Sequence, residues 1–309
     1  MAVSTTSTEA ELLAEYWNNV FLHELRENLV FEQFGLKGVH PRGSGTVVHW
    51  MSLADLTAAG ALTEGTDPTE YTLSAGDLTA TVKQYGASVL ISDLLQETWV
   101  AGSYQALMER LARNAALTID EVIRDTCFTA GGSAQYGGTA VARNSIATDG
   151  SFDADISEIR EAVNSLETNK VPRWPDGYYV GIIHQDVKYD LQGDTANWRD
   201  LVKYLGSQEQ HILKGEVGEL YGVRFIMTQQ ALKLDASGSA STDVYQSYIF
   251  GPEFFGVSEL QGVQTIIKNP HPASDLNLYG SVGWKAAFAC KELDSKRMIR
   301  LETGASLGD

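Results

Sequence analysis

The 309-residue chain is 43% hydrophobic, enough for a genuine core in one large domain or two modest ones. Its 40 acidic against 23 basic residues give a net charge of -17, with no basic run to neutralise a track of phosphates, which argues against strong direct nucleic-acid binding. The start MAVSTTSTEAE lacks the charged and apolar regions of a signal peptide, and no apolar run approaches the ~18 residues of a membrane span. A soluble protein made in the cytoplasm is expected. Cys127 and Cys290 are the only cysteines and no Asn-x-Ser/Thr acceptor occurs, so two buried thiols are expected rather than a disulfide framework.

Thr8 with Glu11 has the spacing of a capping box, and Leu13, Trp17, Phe21 and Leu25 then recur every four residues as far as Leu29, Phe31 and Phe34. This predicts an amphipathic arm with an acidic outer face; the same pattern suits a first helix packed on its own domain. His23-Glu24-Leu25-Arg26-Glu27 lacks the second histidine of a zincin helix. Gly35, Gly38, Pro41, Gly43 and Gly45 mark the exit. Thr46 to Leu53 is β-rich, and Leu78 to Ile91 alternates as a returning partner would. The stretch between contains Gly60, Gly65, Pro68 and Gly76. An isolated two-stranded ribbon is marginal in water, so a long hairpin here needs a surface to lie on, and a neighbouring subunit is the obvious one.

Ser92 to Phe128 reads mostly as one long helix. Leu107, Met108, Leu111, Ala115, Ile119, Val122, Ile123 and Thr126 gather on one face, with Arg110, Arg113, Asp120, Arg124 and Asp125 turned away. The part after Ser103 alone would reach about 37 Å, the length of a spine.

Gly131, Gly132, Gly137 and Gly138 then break the chain. Asp155 with Glu158 opens a second helix through Ile156, Ile159, Val163 and Leu166, ending before Pro172. Trp174-Pro175-Asp176-Gly177 is a turn, and Tyr178 to Ile183 a buried strand. His184, Asp186 and Asp190 follow that strand and resemble metal ligands, but no second histidine or cysteine group stands at metal-site spacing, which favours an ordinary loop histidine. Trp198, Leu201, Val202 and Leu205 fit a short amphipathic helix halted by Gly206.

Gly215, Gly218 and Gly222 have the wrong spacing for a phosphate cradle and read as turns feeding a strand from Val223 to Thr228. Leu234 to Asp243 reads as an exposed, mobile Gly/Ser-rich loop. Val244 to Phe250 returns as a strand ending at Gly251-Pro252. Gly283 to Glu302 reads as a closing pair of strands around a turn near Asp294-Ser295. Gly304-Ala305-Ser306-Leu307-Gly308 is a literal G-x-S-x-G, yet the nucleophile elbow needs a helix after the serine and only Leu307, Gly308 and Asp309 follow. The match is accidental.

An acidic arm, a long hairpin, a spine helix, an α+β body with a second subdomain and closing strands, in that order, resemble the major capsid proteins of tailed bacteriophages, the Hong Kong 97-like fold. Four stretches resemble the branch typified by the major capsid protein of the Escherichia phage called N-four: Ile182 to Trp198, Leu213 to Ala231, Tyr248 to Gly256 and Tyr279 to Glu302. The resemblance implies an α+β capsid fold. Its parts would be an N-terminal arm at 1–45, an extended β-hairpin loop at 46–91, a peripheral domain with the spine helix at 92–172 and 263–309, and an axial domain at 173–262.

It further implies a homo-oligomer of pentamers and hexamers that closes an icosahedral shell around double-stranded DNA, held without sequence-specific binding. Expected partners are a separate scaffolding protein, since 1–45 is too short for a fused one, a portal protein and a decoration protein; no membrane is involved. The place of the chain would be the virion, after assembly in the host cytoplasm. No enzyme activity, catalytic residue, cofactor or metal is implied. Some relatives crosslink through a lysine of the extended loop; Lys83 is the only lysine of this hairpin and lies near its base, so a shell without crosslinks is expected.

Two other readings of the same residues remain: an encapsulin-type nanocompartment shell holding protein cargo, and a metal-dependent enzyme using His184, Asp186 and Asp190. A carbohydrate-binding or adhesin module would rest only on the 6 Trp and 13 Tyr, whose core-like positions are better explained by burial.

Overall fold

The computed structural model describes residues 21–25, 29–53, 56, 58–62, 64–65, 67, 70–73, 75–98, 103–147, 150–193, 216–268 and 276–307. The capping box at Thr8, Leu13 and Trp17, Pro68, the helix from Trp198 to Leu205, and Gly215 lie outside them.

Strands β1 (Leu36–Val39), β4 (Lys83–Ser92), β11 (Phe255–Lys268) and β12 (Tyr279–Glu292) form a four-stranded sheet in the order β1-β11-β12-β4. Strands β11 and β12 are 14 residues each and run antiparallel, with irregularities near Gln261 that bend the ribbon. The helix Ser103–Ile123 lies across one face of this sheet, and Met108, Leu111, Ala115, Ile119 and Ile123 meet Val282, Trp284, Ala286 and Phe288 in one core. Sequence periodicity and structure agree up to Ile123 except at Asp120, which is expected outward and is buried. Arg124–Phe128 then forms a π-helix in which the Thr129 N–H bonds to the Arg124 carbonyl. The widened turn sends Phe128 inward with Cys127, whose burial is expected, and leaves Thr126 exposed, opposite to expectation.

Phe128 is the hub of an aromatic cluster. The rings of Phe31, Phe255, Tyr248, Phe254 and Phe250 stand 5.0, 5.1, 5.2, 5.2 and 5.3 Å away, all edge-on, the arrangement the aromatic quadrupole favours. Through it the long helix, the residues after the arm and a second sheet share one core.

That second sheet has the order β5-β13-β10-β6-β8-β7, with β9 beside β10. Its strands are Ser133–Tyr136, Met298–Thr303, Val244–Phe250, Tyr179–Ile183, Val223–Met227, Glu216–Leu220 and Lys233–Leu234 respectively. Every residue of β6 and β10 is buried. Tyr248 and Phe250 face the aromatic cluster, and Tyr245 and Ile249 face the helix Ile156–Thr168. Asp155 and Glu158 cap that helix reciprocally, as the sequence indicates. Glu302, fully buried in β13, is held by Arg143 at 2.6 and 2.7 Å, Arg300 at 2.9 Å and Gln246 at 3.0 Å. Burial alone would raise its carboxyl; the two arginines more than offset that and hold it below the ordinary range.

Four further expectations are corrected. The stretch from Leu78 to Ile91 is two strands: β3 (Ala75–Thr81) pairs with β2 (Val47–Leu53), whereas β4 leaves the hairpin and pairs with β12. The closing strands β12 and β13 do not pair; each joins a different sheet, so the turn capped by Asp294 carries the chain from one sheet to the other. Gly218 sits within β7, beside a register irregularity. The loop from Leu234 to Asp243 is pinned: Ser239 N–H bonds to the Ile146 carbonyl at 2.7 Å, Ala236 N–H to the Asp243 carboxylate at 2.8 Å, and Lys233 pairs with Asp243 at 2.6 Å.

Candidate assembly surfaces

The residues leading out of the arm are fastened to the long helix. Phe21, Leu25 and Phe31 are buried in the core beside that helix. Asp120, on the helix and 1% exposed, accepts N–H bonds from Val30 at 2.7 Å, Phe31 at 3.2 Å and Glu32 at 3.5 Å. Three successive backbone donors at a turn make an anion-binding nest. Burial pushes the Asp120 carboxyl up to about 7, against the downward pull of those donors and with Glu32 adding a further upward push. The helical pattern places Asp120 on the solvent side because charged residues default there. Its partners lie 88 to 90 residues earlier, and no local signal reveals them. Arg124, also assigned outward, bonds to the Gln230 carbonyl at 2.9 Å.

The hairpin is fastened at its base and free beyond it. Its ladder runs from Val47 opposite Thr81 to Leu53 opposite Ala75. Trp50 lies over the four-stranded sheet at Gly256, where a Cβ would come 2.9 Å from the indole nitrogen; glycine there permits the close approach. Met51, Leu62 and Leu73 are 76, 73 and 63% exposed, and Leu56 and Tyr71 are exposed with them. Scattered exposed leucines need no explanation, but five large apolar side chains on one projection mark a contact surface. A second group, Leu90, Leu94, Leu95, Leu276 and Leu278, is exposed where Asp93 N–H bonds to the Leu278 carbonyl.

The candidate metal residues do not form a centre. His184 Nδ1 lies 3.2 Å from an Asp186 carboxylate oxygen and its ring rests 5.1 Å from that of Tyr245. Burial lowers the His184 pKa, a pull that Asp186 opposes. Asp190 is engaged elsewhere: its carboxylate accepts from the Ser306 N–H at 2.9 Å and from the Ser306 hydroxyl. Among the described residues no three His, Cys, Asp or Glu side chains gather as a metal-binding group. Ser306 of the G-x-S-x-G thus donates a hydrogen bond directly to a carboxylate, with no histidine base between the two.

No protein-family model matches the chain, and no curated protein does. Solved structures are similar in fold. The capsid of Ralstonia phage GP4 superposes with a TM-score of 0.71 at 15% identity over 90% of this chain and 92% of that one. The capsid of the cyanophage P-SCSP1u gives 0.64 at 15% identity over 90% and 89%. A virus-like particle from Pyrococcus furiosus gives 0.54 at 10% identity over 94% and 99%. At these identities the likeness is one of fold: the chain has the mixed α/β architecture of tailed-phage capsid proteins, the Hong Kong 97-like fold.

Proposed function

We propose that the chain is the major capsid protein of a tailed phage, of the branch typified by the Escherichia phage called N-four. It assembles as pentamers and hexamers into an icosahedral head around double-stranded DNA, in the host cytoplasm, and remains in the virion. The observation that carries this reading is the capsid fold over nine-tenths of the chain, joined to a hairpin whose apolar end is exposed among the described residues. The long helix serves as the spine of a peripheral domain at 92–172 and 263–309. Residues 173–262 serve as the axial domain, 46–91 as the extended loop on a neighbour, and 1–45 as the arm. A shell subunit gains its stability from many moderate contacts, so the function needs no catalytic residue, cofactor or metal. Its partners are its own copies, a separate scaffolding protein and a portal protein, with a decoration protein as an optional addition.

Electron microscopy of the protein co-expressed with its gene neighbours, with size-exclusion chromatography, tests this. Closed particles or capsomers are the expected result, and a persistent monomer despite a scaffolding partner overturns it. A nanocompartment shell is the second reading, favoured by the likeness to the virus-like particle. Particles that copurify with a protein cargo and no nucleic acid would decide for it.

A further inference from the structure

Cys127 and Cys290 stand far apart in the chain, and the fold brings them together as free thiols. Cys127 lies in the π-helix Arg124–Phe128 that ends the long helix, Cys290 lies in β12, and both are buried in the core beneath that helix. The widened turn is what joins them. In an α-helix the residue five positions after Val122 would have turned about 140° away from it. A π-turn, closed by bonds five residues apart, brings Cys127 back over Val122. The Cys290 sulfur lies 3.9 Å from the Val122 carbonyl oxygen, and the Cys127 and Cys290 thiols hydrogen-bond one another. The chain is tied to the same strand again just beyond: Glu292, on the same face of β12 as Cys290, accepts the Gly132 N–H at 2.9 Å.

The two thiols are not equivalent. Cys127 is fully buried, whereas Cys290 is 7% exposed. The ladder of β4 on β12 ends at Lys83 opposite Phe288, short of Cys290, and the side chains that act on the Cys290 sulfur from that side, Lys83 and Thr126, are exposed. The hydrogen bond with Cys127 lowers the Cys290 pKa, Thr126 and Lys83 add to the effect, and burial opposes it. The Cys127 thiol is pushed up, first by its hydrogen bond with Cys290 and then by burial. Cys290 is therefore the thiol that ionises and that a small molecule can reach, while Cys127 keeps its proton behind it. This is the arrangement of an attacking and a resolving cysteine. The shell reading gives neither thiol a task.

We propose that Cys127 and Cys290 form a peroxide-sensitive pair that closes into a disulfide and clasps the end of the long helix to β12. The oxidant is hydrogen peroxide, small enough to reach a sulfur at the end of the β4 ladder. The Cys290 thiolate attacks one peroxide oxygen, the O–O bond breaks, and the departing hydroxide takes up the proton that Cys290 released, giving water. The Cys127 sulfur then attacks the sulfenic acid on Cys290: the S–S bond forms, the S–O bond breaks, and a second water leaves with the Cys127 proton. Two thiols lose two electrons and one hydrogen peroxide becomes two waters. A reducing cytoplasm keeps the pair open and oxidising surroundings close it. The bond ties a helix in the first half of the chain to a strand near its end, and long loops are the ones whose closure most restricts the unfolded chain. The inference rests on the fold alone and holds whether or not the subunit builds a shell.

In the test, the full chain is freshly reduced, treated with a small excess of hydrogen peroxide, and alkylated in denaturant. The intact mass should fall by two hydrogens with no alkylation, and peptide mapping should join Cys127 to Cys290. The melting temperature should rise by about 5 °C and return when dithiothreitol is added. In Cys127→Ala, dimedone should label Cys290, because its sulfenic acid then has no resolving thiol. In Cys290→Ala, Cys127 should oxidise at least about tenfold more slowly than Cys290 does in the wild type. Two alkylated thiols after peroxide, Cys290 carried to a sulfinic acid with Cys127 still free, or disulfides only between chains overturn the proposal. A linked pair with no rise in melting temperature overturns the clasp. If either variant fails to fold, the mass and melting temperature of the wild type decide alone.

Discussion

The seven-stranded sheet and the two-stranded hairpin solve the problem of exposed backbone in opposite ways. In the sheet, β10 is paired on both sides and covered on both faces, and its buried Gln246 is answered by Glu302 and Tyr248 at 3.0 Å each. In the hairpin, seven residue pairs form a ladder with no third strand, held to the rest of the chain by Trp50 and Val48, while its apolar end faces water. The first region pairs its backbone internally, although the Tyr245, Ser247 and Thr303 hydroxyls are buried without a hydrogen-bond partner among the described residues, and its packing carries the stability of the subunit. The second is stable only as an appendage, and what it lacks must come from another molecule. Substitutions should therefore divide cleanly: those in the first region cost folding, those in the second cost assembly.

The largest loss of folding is expected from Phe128→Ala. Five rings pack edge-on against Phe128, and they come from the arm exit, β10 and β11, which cannot collapse together onto a methyl group. A cost of about 3–5 kcal/mol is expected in urea unfolding of the dissociated subunit. A loss below about 1 kcal/mol would mean that the shared core is not what joins the two sheets.

Asp120 sharpens the comparison through pH. Its carboxyl is raised from 3.8 to about 7 in the folded chain, so between those values the folded state holds a proton that the unfolded state has released. Stability from this group is therefore greatest in acid and falls as pH rises through about 7, with a slope approaching about 1.4 kcal/mol per pH unit. Asp120→Asn, which cannot ionise, should flatten that part of the stability profile measured by urea unfolding from pH 4 to 8. A mutant profile parallel to the wild type would show that the nest at Val30 to Glu32 keeps the carboxylate charged throughout.

What was legible in the sequence follows the same division. Periodicity and capping chemistry are local, so the long helix up to Ile123, the Asp155 helix, and the strands at 179–183, 223–227 and 244–250 could be read directly. The hairpin was legible as alternation, but not the point where Val82 ends it, because β3 and β4 have the same pattern and only their partners differ. Pairings of distant segments left no such trace. The parallel strand β1 on β11, the separate sheets of β12 and β13, and Asp120 turned inward to the arm exit all depend on contacts far along the chain. The free end of the hairpin carried its own signal in composition, acidic and apolar without a lysine or arginine.

Trp50→Ala should have a smaller effect than either core substitution, because the hairpin can detach while the sheets remain folded. Half-burial of an indole over Gly256 contributes about 1–2 kcal/mol to hairpin docking, and little of that is felt by global unfolding. Amide exchange should accelerate roughly tenfold at Val47–Leu53 and Ala75–Thr81. Exchange at Met298–Thr303 should not change. Equal acceleration in both would make the hairpin part of the cooperative core, contrary to its attachment through Trp50 and Val48 alone among its described side chains.

The smallest change in subunit stability is expected at the end of the hairpin. Leu62 and Leu73 are 73 and 63% exposed, so replacing both by serine removes almost no buried area and should alter unfolding by within about 0.5 kcal/mol. In a particle the same two side chains would be covered, and at ~25 cal/mol per Å² the loss recurs at every copy of the contact. Leu62→Ser with Leu73→Ser should therefore leave the melting curve of the subunit in place while particle yield drops. The paired change Leu94→Ser with Leu276→Ser, at the other exposed apolar group, distinguishes a hairpin-specific effect from a general loss of surface hydrophobicity. If both pairs reduce assembly equally, the hairpin has no privileged place among the contacts. If only the first does, the ribbon that cannot satisfy itself is the element through which one subunit holds the next.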